Sequence, residues 1–340
     1  MMRALKPLAR DIYAQLLYRL GLSHPSRIPS DSLLILTFHR VLPADLRAEY
    51  PLPGLAVTPE HLRWILASLL PCFENMAVSG AVRKHREGSN TKPLLAVSFD
   101  DGQWDNLEHA APVLSELGVP ATFYLPTDFI GGPRLLWHDY AAFAWQRIRE
   151  QGIGQAPVTE LGTSRTIQSD TAGGFLEALK QLSPSRRESL VKQLDEAAES
   201  RPPAWARLMD WNEVERLEAQ GHEIASHGCT HALLPQLDAE GQGRELEGSM
   251  RVIEQFLGKA PASFCYPNGS FDERTPQLAE EVGYENAVTT RWGINTRNVS
   301  PFKLFRCDMD ADRLLDRRGG LSSSRLAMRV SGKQPGLAAH

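Results

Sequence analysis

Two short motifs in this sequence carry the side chains needed to hold a metal ion and use it. The first is Ser98-Phe99-Asp100-Asp101-Gly102, directly after an apolar run. Adjacent residues leaving a strand point in different directions, so one of the two carboxylates can ligate a cation while the other faces a water bound to it. Gly102 permits a tight turn and the close approach of a ligand. The second motif is Ser226-His227-Gly228-Cys229-Thr230-His231. Two histidines four apart meet on one face of a helical turn, which suits Zn²⁺. Cys229 would point away from such an ion and reads as a packing thiol.

Weaker signals accompany these. Phe264-Cys265-Tyr266-Pro267-Asn268-Gly269 is a turn sequence, and the stretch Tyr266, Pro267, Asn268 and Gly269 could aim backbone N–H groups at a substrate oxyanion. His39 ends the run Leu36-Thr37-Phe38. Trp292 offers an aromatic face for a sugar ring, and equally suits a half-buried core position. Taken singly, Asp-Asp-Gly and Pro-Asn-Gly are common turns. Together, His39, Asp100, Asp101, His227, Pro267 and Trp292 all fall at or just past the ends of apolar runs. In parallel α/β folds that is the face where active sites are built.

The elements that must position them are legible. Short apolar runs at Leu33–Phe38, Met76–Ser79, Leu94–Phe99, Ala121–Leu125, Glu223–Ser226, Ser263–Tyr266, Asn286–Thr289 and Leu304–Cys307 lack polar alternation, as strands buried on both faces do. Helical patterns lie between them. Thr58-Pro59 and Asp210 with Glu213 mark helix starts, while Gly118, Gly221 and Gly283 mark ends. This alternation predicts a parallel sheet, either a barrel or an open doubly wound one. From about 131 to 203 the rhythm breaks into a mainly helical insertion.

The chain has 340 residues, of which 42% are hydrophobic and 23% charged, as in a globular protein with a sizeable core. Its net charge of -4 argues against a dedicated nucleic-acid binder. Four scattered cysteines (Cys72, Cys229, Cys265, Cys307) form no disulfide framework and suggest reduced thiols. Residues 1–30 read as an amphipathic helix ending near Gly21, with Ile12, Leu16, Leu17 and Leu20 at helical spacing. Arg3, Lys6 and Arg10 lend it a basic character suited to packing on the domain or touching the inner membrane surface. With no secretory h-region, a cytoplasmic location is expected. The main unit is 31–315, and the Arg-, Gly- and Ser-rich tail 316–340 is expected to be disordered.

The Phe99-to-Gly102 and Ser226-to-His231 motifs, in that order, resemble the signature of the polysaccharide deacetylases, carbohydrate esterase family four. Val119-Pro120-Ala121-Thr122-Phe123-Tyr124 and the stretch Trp211–Ser226 resemble the family too. The resemblance implies a distorted (β/α) barrel of about seven strands and one divalent ion, zinc first, on Asp101, His227 and His231. It also implies Asp100 as general base and an N-acetylated glycan as substrate. Two departures stand out. Cys265 occupies the place of the family arginine that steers the base, for which Arg306 is the candidate replacement. The late acid histidine is missing; His39 fits a circularly permuted branch that takes it from an N-terminal strand, with His138 as runner-up. Trp137 would then cover the site as a lid. Two other readings stay open: a catalytically impaired glycan-binding homologue, and a hydrolase of another bond such as a cyclic amide or phosphodiester.

Overall fold

The computed structural model describes residues 2–151, 169–198 and 202–337. Among these, seven parallel strands form the central sheet: β1 (Leu33–Phe38), β2 (Leu94–Phe99), β3 (Thr122–Leu125), β4 (Glu223–Ser226), β5 (Ser263–Cys265), β6 (Asn286–Val288) and β7 (Cys307–Asp308). Their spatial order is β7-β1-β2-β3-β4-β5-β6, and a short strand, Glu74–Asn75, pairs beside the start of β2. Every residue of β1 and β2 is buried, which explains their unbroken apolar sequences.

The sheet curls back on itself. Leu304, on the segment entering β7, bridges Val288 of β6, and the Thr289 N–H donates to the Leu304 carbonyl at 2.9 Å. β7 in turn pairs with β1. The result is a distorted (β/α) barrel.

Side chains of opposite parity serve two cores. Leu34, Leu36 and Phe38 of β1 join Leu95, Val97 and Phe99 of β2 and the surrounding helices in the larger cluster. Leu33 and Ile35 join Leu94, Ala96, Tyr124, Ala225, Cys265, Val288 and Leu304 in a smaller one, the barrel interior. The helix starts behave as their sequences imply. Thr58 caps Pro59–Leu69 in a reciprocal box with His61, and Asp210 caps Trp211–Ala219 with Glu213.

Two expectations need correction. Met76–Ser79 is not a strand: pairing ends at Asn75 and a helix, Val78–Glu87, follows. Val78, Ala81, Val82 and His85 are buried at helical spacing, and the Val78 N–H donates to Thr122 Oγ1 at 2.9 Å. The tail is ordered well past 316. Helix Ser323–Val330 is buried along its length, and its Arg325 pairs with Asp11 of the N-terminal helix, Met2–Arg19. The apolar stripe of that N-terminal helix, Leu8, Ile12, Leu16 and Leu20, faces outward.

In the 131–203 region the described residues hold three helices, Trp137–Glu150, Ala172–Lys180 and Pro184–Ala198, and no strand. Residues 152–168 lie outside the described residues. No described helix is long and apolar enough to cross a membrane.

Candidate active site

Strand parity carries the site into the barrel mouth. If Ile35 and Ala96 face the interior, so do Thr37 and Ser98, and the next inward positions are His39 and Asp100. The β1–β2 register pairs Phe38 with Phe99, so these two residues leave the sheet side by side. The same count places His227 beyond inward Ala225, and Arg306 beyond inward Leu304. Residues up to 267 apart in sequence thereby share one end of one cavity.

Asp101 reaches the site by a different route. It adopts a left-handed backbone, φ 74°, followed by Gly102 at φ 63°. The left-handed backbone favours glycine at this return turn, and a Cβ there would also crowd Ile130 Cδ1 at 2.9 Å. His231 is also left-handed, φ 56°. Such a conformation costs a residue with a Cβ about 1–2 kcal/mol, and here it occurs at two of the three proposed ligands.

The histidines are four apart, as the motif requires, but they do not sit on a helical turn. Residues 227–231 form a loop organised by Glu245, whose carboxylate accepts the N–H groups of Cys229 (2.8 Å) and Thr230 (2.9 Å). Nothing in the motif itself points to Glu245, which lies on the following helix, Ala239–Leu257. Cys229 Sγ turns toward the Arg244 and Glu245 carbonyls, as a packing thiol would.

Donor atoms of Asp101, His227 and His231 lie within 4.8 Å of one another. His227 Nε2 stands 3.5 Å and His231 Nε2 3.3 Å from Asp101 Oδ1. His227 Nδ1 is 2.7 Å from the Cys265 carbonyl, an acceptor, so Nδ1 carries a proton and Nε2 is the nitrogen that faces the cluster. Burial pushes His231 down to about 4, so its ring is neutral. Burial would raise the Asp101 carboxyl, but the imidazoles of His138, His227 and His231 outweigh it and hold it well below the usual range. Burial would lower the His227 ring, but Cys265, Asp101 and Asp100 outweigh it and hold it well above the ordinary imidazole range, so a cation bound here would have to displace a proton from that ring. Two imidazoles and one carboxylate form a donor set suited to zinc. Asp100, His227 and Cys265 also converge within 4.8 Å. That trio is the poorer one, because burial pushes the Cys265 thiol up and Asp100 is already engaged.

Its partner is Arg306. Nη1 donates to Asp100 Oδ1 and Nη2 to Oδ2, both at 2.7 Å. The same guanidinium donates to the Thr289 carbonyl (2.7 Å), Ser98 Oγ (3.2 Å) and Cys265 Sγ (3.2 Å). Every arm of the fork is therefore fixed. Burial alone would raise the Asp100 carboxyl, but Arg306 outweighs it and keeps the group ionised below its ordinary range.

The chain is similar to known proteins in sequence and in fold. The sequence model of the polysaccharide deacetylases matches residues 87–287, more than half of the chain. The chain belongs to the polysaccharide deacetylase family. A Bacillus subtilis protein described as a putative polysaccharide deacetylase, YxkH, is 28% identical over 94 residues, covering 28% of this chain and 34% of that one. Chitin deacetylase 1 of Cryptococcus neoformans is 31% identical over 80 residues, 24% of this chain and 17% of that one. The chain thus matches about a third or less of these relatives' lengths. In three dimensions it resembles the Streptococcus pyogenes deacetylase PplD, solved with acetate, at a TM-score of 0.57 and 16% identity, covering 88% of this chain and 98% of that one. IcaB from Ammonifex degensii gives 0.54 at 15% identity, covering 88% and 97%.

The family match includes Asp100, Asp101, His227, His231 and Cys265, while His39 and Arg306 fall outside it. His39 Nε2 is 3.9 Å from Asp100 Oδ2, and its side chain is 24% exposed where Asp100 is 2%. His138 lies on the other flank, with Nε2 3.6 Å from Asp101 Oδ2. It opens helix Trp137–Glu150 of the insertion. Trp137, the expected lid, is held under the Arg187 guanidinium, 4.8 Å from the ring centre.

Two substrate-facing expectations narrow. In the 266–269 loop, the Tyr266 N–H donates to the Val288 carbonyl, the Gly269 N–H to the Tyr266 carbonyl, and Pro267 has none. The Tyr266 hydroxyl donates to the Phe302 carbonyl at 2.9 Å. Among the described residues of the loop, the Asn268 N–H is the amide left for an oxyanion. Trp292 contacts the core, its indole N–H points at Cys307 Sγ (3.1 Å), and a Cβ on Gly332 would come within 2.3 Å of its ring.

Proposed function

We propose that this protein is a metal-dependent N-deacetylase acting on the acetamido group of an N-acetylated glycan. The observation that carries the proposal is the convergence of Asp101, His227 and His231 beside a second carboxylate, Asp100, clamped in one orientation by Arg306. A divalent ion held by those three residues would polarise the acetyl carbonyl and lower the pKa of water at the site. Asp100, ionised by its arginine, accepts the proton of the attacking water as the carbon–oxygen bond forms. The Asn268 N–H is available to the developing oxyanion. The carbon–nitrogen bond then breaks, and the departing amine needs a proton. His39 would supply it; its side chain is 24% exposed against 2% for Asp100, 3.9 Å away. Products are acetate and the free amino sugar.

The missing family arginine at Cys265 is the main reason to consider a binding-only homologue. Arg306 on Asp100 favours catalysis instead, because it supplies the same fork from another strand. A single three-residue ligand set also suits deacetylation better than phosphodiester cleavage, which often uses two ions.

The test is mass spectrometry of acetylated chito-oligosaccharides incubated with zinc-loaded protein. Loss of one acetyl mass, with acetate release, is the expected result; unchanged substrates across a panel of N-acetylated sugars would refute the proposal. Asp100→Asn should lower turnover by roughly 10²–10⁴-fold while bound metal persists. His39→Ala should slow amide hydrolysis far more than hydrolysis of an activated acetate ester, whose leaving group needs little protonation. Equal losses on both would count against His39 as the acid and direct attention to His138.

A further inference from the structure

Seven large apolar side chains are exposed among the described residues, and six lie between Leu8 and Leu22. Leu8, Ile12, Leu16 and Leu20 recur every four residues, each step advancing about 40° around the helix, so they make one broad stripe. Ile12, Leu16 and Leu20 are 58%, 53% and 60% exposed. The opposite face, with Asp11 and Ala14, is the one packed inward.

The orientation has an electrostatic cause. Asp11 Oδ1 accepts from Arg325 Nε at 2.7 Å, and Oδ2 accepts the Arg317 N–H at 3.0 Å. Burying that pair turns the apolar stripe away from the protein. It also removes the helix's only acid from the surface charge balance. On the helix Arg19 is exposed, while Arg10 is half-buried toward Arg325. Beside the stripe, Arg317 and Arg318 line a shallow cavity of 280 Å³ together with Leu8, Ile12 and Asp316. The Asp316 carboxylate is engaged by the backbone N–H groups of Arg318 and Gly320. A chain of net charge -4 thus presents, at this place, an apolar stripe with a basic rim.

We propose that this face docks on the surface of a bilayer containing anionic lipid. An apolar stripe that sinks among acyl chains while flanking arginines meet phosphate headgroups matches both features at once. A second copy of the chain fits less well, since a symmetric contact would bring two basic rims together. The proposal is independent of the catalytic reading.

Sedimentation of the full chain with phosphatidylglycerol/phosphatidylcholine vesicles tests it. The protein should pellet with these vesicles, and about tenfold less with phosphatidylcholine alone or in high salt. The double variant Ile12→Glu/Leu16→Glu should stay in the supernatant. So should Arg317→Glu/Arg318→Glu, since both changes sit on exposed or rim positions; circular dichroism and melting check that the fold persists. Absence of the wild-type protein from the anionic pellet overturns the proposal. So does equal pelleting of the Ile12→Glu/Leu16→Glu variant. A concentration-dependent dimer in sedimentation velocity that this variant abolishes would assign the face to self-association instead.

Discussion

Arg40 and Arg306 are both buried against carboxylates, and the two sites differ in what those carboxylates have left over. Arg40 donates to Asp105 and Asp139, each at 2.7 Å, and to the Ala206 carbonyl at 2.8 Å. Asp105 also accepts the Val41 N–H, and Asp139 accepts the Tyr50 hydroxyl. These acids are fully engaged, and they tie the turn after β1 to the inserted helix Trp137–Glu150 and to the 204–206 turn. Arg306 serves one acid only. It grips both oxygens of Asp100 from behind and leaves Oδ2 within 3.9 Å of His39. Similar chemistry therefore builds a structural latch in one place and a held, ionised carboxylate in the other. The lesson is to ask of a buried ion pair which lone pairs remain, since burial alone does not tell structure from catalysis.

Substitutions at the two arginines can break that contrast. Arg40→Met leaves two buried acids without their cation and should cost about 3–5 kcal/mol of stability, read as a lowered denaturant midpoint. Its pH dependence has a definite sign. Burial would raise Asp139, but Arg40 outweighs it and holds the carboxyl low. The share of Asp139 is therefore present above the ordinary aspartate pKa of about 4 and lost as pH falls through the lower folded value, whereas burial outweighs Arg40 at Asp105 and raises that carboxyl. The gap between wild type and Arg40→Met should be widest near neutrality and narrow on acidification; a pH-independent gap would rule out the latch. Arg306→Lys keeps the charge but not the fork, so Asp100 loses its fixed orientation. Deacetylation should fall roughly 10²-fold with metal content unchanged, while full activity would show that the fork is dispensable. The smallest effect belongs to Cys265→Ala. The thiol touches both Arg306 and Asp100, yet its removal breaks neither arm of the fork. Less than about a tenfold loss is expected, and a hundredfold loss would make the thiol a participant.

How legible these regions were in the sequence follows the distance between partners. Thr58 and Asp210 cap their helices as written, because a cap and its N–H groups are three residues apart. Strands β1, β2 and β4 coincide with their apolar runs. Met76–Ser79 misled because a short apolar stretch fits strand and helix alike, and Thr122, on a neighbouring strand, accepts the first helical N–H. The histidine pair was found by its spacing but assigned the wrong backbone, since Glu245 organises the loop from another helix. The oxyanion loop looked open in sequence, yet two of its amides are used internally.

By itself the sequence determined which side chains could bind a metal, and that they end buried parallel strands. Those properties follow from residue type, local spacing and strand parity. Tertiary structure decided that Arg306 meets Asp100, that His138 approaches Asp101, and that the N-terminal helix turns its leucines outward. Each depends on curling the sheet or docking a distant helix, which brings together groups separated by as many as 314 residues. No periodicity encodes such a meeting; the lowest-energy burial of charged pairs selects it.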